Sequence, residues 1–226
     1  MRRRTFLKVG AAGALIGASG CLTSLVGDDG AEHAVLESPP EEIQPTSSSD
    51  LAYPAYGEPF PHFSLPDPLA ETTIETETLE APFVCTAFYA YCEAECTLLL
   101  PALANAQELL REHGHEDVRV LAVTFDPERD TPDKLAENAE AMRIDLEPGT
   151  WHYLRPEDAA EAEAIVAEDL GIGYEKVGPE EAYDFQHITV SFLVNPDGYV
   201  ERAYQTDTPD PDLILEDTQT LVDNWE

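Results

Sequence analysis

"PFVCTAFYAYCEAECTLLLPALANAQELLREHG", Pro82 to Gly114, decides the architecture. Pro82–Ala90 is an almost unbroken apolar and aromatic run, the pattern of a central strand covered on both faces. From Cys96 onward the residues read as helix, ending at Gly114, because glycine readily takes the left-handed backbone that closes a helix. Downstream, "VRVLAVTF" (Val118–Phe125) reads as a second buried strand. "DTPDKLAENAEAMR" opens with a capping residue and Pro132 at the helix start and runs to about Arg143. A third helix is expected over roughly residues 156–170. "HITVSFLV" (His187–Val194), the turn "NPDG" and "YVERAY" predict an antiparallel hairpin, and a last helix runs from about Pro211 to Trp225. This order describes an α/β sandwich built on a central mixed sheet flanked by helices.

The chain of 226 residues fits one domain plus appendages. Residues 1–20 carry Arg2, Arg3, Arg4 and Lys8, then a small-residue apolar stretch from Val9 to Gly20. That stretch falls short of the about 20 residues a spanning helix needs, so the segment reads as an export signal. "RRTFLK" resembles the twin-arginine motif and "ASGC" a lipobox, which would make Cys21 the site of lipidation. Residues 21–50, rich in Ser, Pro and acids, are expected to be a flexible tether, with the folded domain over 51–226. The expected location is the extracytoplasmic face of the membrane.

Beyond residue 20 there are 8 Lys and Arg against 46 Asp and Glu, a formal net charge of −38. Such a surface excludes nucleic acid as a ligand. It also repels itself in dilute buffer and is relieved at molar salt, where the Debye length falls to about 3 Å. A salt-loving source is therefore expected, and the acidic chain behind this leader resembles a lipoprotein of the haloarchaeal type.

Cys92 and Cys96 stand four residues apart in "YCEAEC". In the first turn of a helix that spacing puts their Cα atoms about 6.2 Å apart, near the upper end of the about 4.4–6.8 Å that a disulfide spans. Both sulfurs would share a helix face and could grip a soft metal. Glu93 and Glu95 disfavour a thiolate, whereas a bound cation relieves them. A stabilising disulfide closing so short a loop restrains little of the unfolded chain. Three readings stay open from spacing alone: metal clamp, redox pair and structural bridge.

Four stretches resemble the SCO/SenC family. They are "FYAYCEAEC", "VTFDPERDTPDKL" (Val123–Leu135), "WHYL" (Trp151–Leu154) and "DFQHITVSFLVNPDG" (Asp184–Gly198), within a likeness covering about Pro59–Tyr204. The resemblance implies a thioredoxin-like three-layer sandwich, and Pro101 echoes the kinking proline of thioredoxin's active-site helix. It implies one copper ion, Cu(I) or Cu(II), held by Cys92, Cys96 and His187, with Asp126 as an acid beside the site and Arg129–Asp130 bracing its loop. A Cys92–Cys96 disulfide would be the oxidised state of the pair. The implied function is a copper chaperone for the copper-centre subunit of a respiratory haem–copper oxidase. The alternative is a thiol-disulfide oxidoreductase acting through Cys92 and Cys96 on the same partner's copper-site cysteines. The chain departs from the family pattern at Glu93 and Thr97, where proline usually follows each cysteine, and at Gln186, where an acid usually precedes the histidine.

Other candidates read as structural. Cys85 is expected to be a buried small apolar residue. His62, His113, His115 and His152 lack paired ligand spacing and are expected at the surface or in loops, with His33 in the tether. A peroxidase is set aside, because Tyr89 and Glu93 stand where its activating threonine would precede Cys92 or Cys96.

Overall fold

The computed structural model describes residues 32–39, 51–147 and 149–225. The expected signal segment 1–20, Cys21 and most of the tether lie outside the described residues. In chain order the elements begin with β1 (Ser64–Asp67), β2 (Thr72–Glu75), β3 (Phe83–Phe88), α1 (Cys96–Glu112), β4 (Arg119–Thr124), α2 (Pro132–Met142) and β5 (Trp151–Leu154). There follow α3 (Ala159–Ala162), which runs on as a π-helix over Glu163–Asp169, then β6 (Tyr174–Val177), β7 (Asp184–His187), β8 (Ser191–Val194), β9 (Val200–Tyr204) and α4 (Pro211–Asn224).

The main sheet has five strands in the order β5-β4-β3-β8-β9, with β3, β4 and β5 parallel and β8 and β9 antiparallel to their neighbours. This is the expected mixed sheet flanked by helices. All six residues of β3 are buried, as a strand covered on both faces requires. α1 contributes Leu99, Leu100, Leu103 and Leu110 to the core, each stabilising the fold by about 1.5–3 kcal/mol through burial. Two further antiparallel pairs, β1–β2 and β6–β7, form small sheets of their own.

Capping chemistry sets the helix starts. The Thr131 hydroxyl accepts from the Lys134 amide, with Pro132 in the first turn of α2. The Asp158 carboxylate accepts from the amides of Ala160 and Glu161, so α3 begins at Ala159 rather than near residue 156.

Three expectations are corrected. The run His187–Val194 is not one strand: β8 begins at Ser191, while His187 ends β7 in the separate β6–β7 hairpin. His152 is not a surface residue. It lies in β5 at 5% exposure, and its Nδ1 is 3.0 Å from the buried Asp67 carboxylate of β1, a partner 85 residues away that pattern reading could not supply. Part of the expected tether, residues 32–39, is docked. Leu36 is buried, the amides of Val35 and Leu36 donate to the buried Glu201 carboxylate at 2.9 Å each, and Asn195 Nδ2 donates to the His33 carbonyl. The His33 ring stacks on Tyr199 at 4.2 Å. A buried carboxylate has to find donors, and this strap supplies two of them.

Candidate metal centre

β3 runs into a tight turn in which the Cys92 amide donates to the Tyr89 carbonyl at 3.2 Å. The helix starts only at Cys96, so Cys92 lies in the loop ahead of it and not within its first turn. The physical reason is local. The Cys96 amide, one of the unpaired donors at a helix start, donates to Cys92 Sγ at 3.4 Å, so the sulfur ahead of the helix satisfies it. Where family members have proline, the Thr97 hydroxyl donates to the Ala94 carbonyl at 2.6 Å and steadies the same turn.

Cys92, Cys96 and Cys85 are free thiols. Both members of the pair are buried, at 5% and 1% exposure. The Cys96 S–H, directed at Cys92 Sγ, is the main influence pulling Cys92 down to about 3, against burial and with help from His187 and the Cys96 and Ala94 amides. Cys96 moves the other way, raised by the same bond, by burial and by the neighbouring thiolate. The bond between them thus makes Cys92 the readier of the two to ionise and Cys96 the one that keeps its proton longer. Glu95 Oε2, at 3.8 Å from Cys92 Sγ, opposes that charge but is outweighed by the donors. Burial drives Cys85 upward and leaves it an inert core residue.

His187 closes the third side. Its Nδ1 is 3.1 Å from the Ile188 carbonyl, a contact that places the proton there and frees the Nε2 lone pair. Nε2 is buried, has no oxygen or nitrogen partner, and interacts with the Cys92 sulfur alone. Burial disfavours its charged form, but the Cys92 sulfur outweighs this and raises its pKa. The ring is wedged against Phe125 at 5.3 Å and edge-on to Tyr89 at 5.9 Å.

One donor atom each from Cys92, Cys96 and His187 lie within 4.8 Å of one another. Donors sharing a metal through bonds of about 2.0–2.3 Å stand roughly 3.5–4 Å apart, so closure needs at most about 0.8–1.3 Å of approach. A buried imidazole nitrogen whose one partner is a cysteine sulfur presents the donor set a soft cation satisfies. The structure thus brings together the three residues singled out as ligands.

Asp126 is buried near this site but is not among the converging donors. Its Oδ1 accepts from the Tyr183 hydroxyl at 2.8 Å, and its Oδ2 is paired with Arg129 Nε. Arg129 also donates to the Tyr183 carbonyl at 2.8 Å. Asp130 Oδ2 accepts from the Ala90 amide at 2.9 Å and the Thr124 hydroxyl at 2.5 Å, tying the cysteine turn to the end of β4. Burial pushes this acid up to about 6.

Tyr183, Asp184 and Phe185, on the hairpin that ends at His187, and Tyr174, paired with His187 across it, were not singled out from sequence. Tyr174 stacks on Phe125 at 4.6 Å, and the Tyr89 hydroxyl bonds to Asp184. Their signal was the alternation in "YDFQH", which a short exposed hairpin shares with ordinary loops.

A thioredoxin-like sheet with one cysteine in the loop before its first long helix and another at that helix's first residue, joined by a histidine from a distant hairpin, defines the class. A family model described as SCO1/SenC matches residues 57–223, and the chain belongs to that family. The SCO1 protein homolog of Bacillus subtilis (strain 168) is 27% identical over 125 residues, which cover 54% of this chain and 62% of that relative. The chain therefore spans under two thirds of the relative's length. The structure of Bradyrhizobium japonicum ScoI with copper bound matches with a TM-score of 0.60 at 20% identity, covering 72% of this chain and 98% of that one. BsSco, described as having a disulfide switch and as a member of the Sco family of cytochrome c oxidase assembly proteins, matches with a TM-score of 0.59 at 21% identity, covering 72% and 92%. At these identities the solved structures speak for the fold.

Proposed function

We propose that the protein carries one copper ion on Cys92, Cys96 and His187 and delivers it to the copper-centre subunit of a respiratory haem–copper oxidase. The carrying observation is the convergence of two sulfurs and an otherwise partnerless buried imidazole nitrogen within 4.8 Å. Two thiolates favour Cu(I), and adding an imidazole suits Cu(II) as well. Structural zinc normally takes four protein ligands. The copper-bound ScoI relative and the oxidase-assembly role of BsSco support this reading. Copper is cargo here, so the ligands have to release it by exchange with the acceptor's own donors. In this proposal the protein works from the extracytoplasmic face of the membrane, anchored through a lipid on Cys21.

The division of charge in the cysteine pair favours a second reading, thiol-disulfide exchange on the same partner. The Cys92 thiolate attacks one sulfur of the partner's disulfide, forming a mixed disulfide and releasing a partner thiolate, which takes up a proton. Cys96, giving up its proton, then attacks Cys92 Sγ. A Cys92–Cys96 bond forms and the second partner thiolate leaves. The partner gains two electrons, the pair loses two, and a thiol donor has to restore it.

The deciding experiment measures copper stoichiometry of the reduced protein beside Cys92→Ser, Cys96→Ser and His187→Ala, together with oxidase assembly in cells. Delivery predicts about one copper in the wild type, with His187→Ala impaired in both Cu(II) retention and assembly. A His187→Ala protein that holds no copper yet supports normal assembly would leave only thiol exchange.

A further inference from the structure

We infer that Tyr183 is a positioning residue for His187, fixing the hairpin that carries the imidazole by a hydrogen bond to Asp126. This rests on the copper reading given above.

β6–β7 is a two-stranded sheet separate from the main sheet, and an isolated hairpin of that kind is marginal in water. What holds it is therefore side-chain contact with the body of the domain. One part is apolar: Phe185 and Tyr174 pack on Phe125 and Tyr89. Such packing is not directional and leaves the hairpin free to slide or tilt by fractions of an ångström.

Direction comes from two polar anchors, Tyr89 to Asp184 and Tyr183 to Asp126. At the second, Asp126 is 3% exposed and accepts from Tyr183 on one oxygen and Arg129 on the other. Arg129 returns to the Tyr183 carbonyl and lies 3.7 Å over the Tyr183 ring, while Lys176 covers that ring at 3.6 Å. Tyr183 stands at the start of the strand whose last residue is His187. The β4–α2 loop thus grips one end of β7 and the ligand hangs from the other.

Removing the Tyr183 hydroxyl leaves a buried carboxylate oxygen without its donor, a state the structure relieves by moving the loop or the hairpin. Either movement displaces Nε2 from the sulfurs. Supporting groups of this kind typically alter metal affinity by about 10–100-fold. The loss should be selective. Cu(I) is satisfied by two thiolates, whereas Cu(II) depends on the nitrogen donor.

The test compares wild type with Tyr183→Phe, Asp126→Asn and the double variant. Cu(I) and Cu(II) affinities and the Cu(II) electron-paramagnetic-resonance spectrum are measured. In the metal-free protein, nuclear Overhauser contacts are followed from the His187 ring to Tyr89 and Phe125. The expected result is Cu(II) affinity lower by about 10-fold or more in Tyr183→Phe with an altered spectrum. Cu(I) affinity should stay within about twofold, and the ring contacts should weaken. The double variant should lose no more Cu(II) affinity than the worse single one. Unchanged Cu(II) affinity, spectrum and ring contacts in Tyr183→Phe would overturn the inference, as would equal losses of Cu(I) and Cu(II). A wild type that takes up no copper would sink the copper reading alone; the ring contacts in the metal-free variants would still decide the positioning role.

Discussion

Replacing Gly171 with alanine puts a methyl group where the chain's own backbone already lies. Gly171 has φ +64°, and a Cβ there would overlap the Ala52 carbonyl and approach the Tyr53 Cα at 2.7 Å. Two costs add. The left-handed conformation costs an L-residue about 1–2 kcal/mol, and forcing atoms into a filled space costs about 1–3 kcal/mol or more. Residues 52 and 53 cannot simply withdraw. Tyr53 is buried, meets Phe192 edge-on at 6.0 Å, and its hydroxyl is 3.2 Å from Gln205 Oε1. The expected destabilisation is about 2–5 kcal/mol, which for a domain of this size lowers Tm by roughly 4–20 °C. Gly114, with φ +87° and nothing within 4 Å of its Cβ position, is the control. Gly114→Ala bears the conformational cost alone, about 1–2 kcal/mol. Guanidinium unfolding at fixed high salt reads both variants against wild type, with an unchanged slope showing that the same cooperative unit unfolds. Equal midpoints for the two variants would refute the claim that residues 52 and 53 press on this glycine.

Two further outcomes are expected. In reduced, metal-free protein, thiolate ultraviolet absorbance should show about one equivalent at neutral pH, disappearing as pH falls toward about 3 and absent from Cys92→Ser. A depressed folded pKa gives stability that is complete above the ordinary thiol pKa near 9 and is lost as pH falls through about 3, whereas Cys96, shifted upward, opposes this only on the alkaline side; a thiolate appearing only above pH 8 would contradict the proton-sharing pair. The formal charge of −38 beyond residue 20 predicts that Tm rises between about 0.1 M and 1 M salt as the Debye length falls from about 10 to 3 Å, and a flat response would exclude electrostatic self-repulsion as a main destabilising force.

Long buried elements were legible because their pattern is local. The apolar run at Pro82–Ala90 became β3, and Thr131 with Pro132 opened α2. The ligand trio followed from the cysteine spacing joined to the family likeness around His187. What escaped reading depends on distant partners. His152 looked like a surface residue until Asp67, on another hairpin, covered it. The strap at residues 32–39 has linker composition, and Glu201, Asn195 and Tyr199, more than 160 residues away, give it a place to dock. The β6–β7 hairpin lacks a continuous apolar face of its own, with a half-buried, half-exposed alternation in β7, so its existence depends on aromatic residues of the main body.

The strap also determines which way the domain faces. β8 pairs Ser191 with Thr86 and Val194 with Phe83, so the Asn195–Tyr199 turn gripping His33 sits beside the beginning of β3, and Cys92 follows its far end. Any pull arriving through residues preceding 32 thus enters at the rear of the molecule. If the proposed lipid anchor holds, Cys92 would therefore lie at the end of β3 opposite the one where the strap docks.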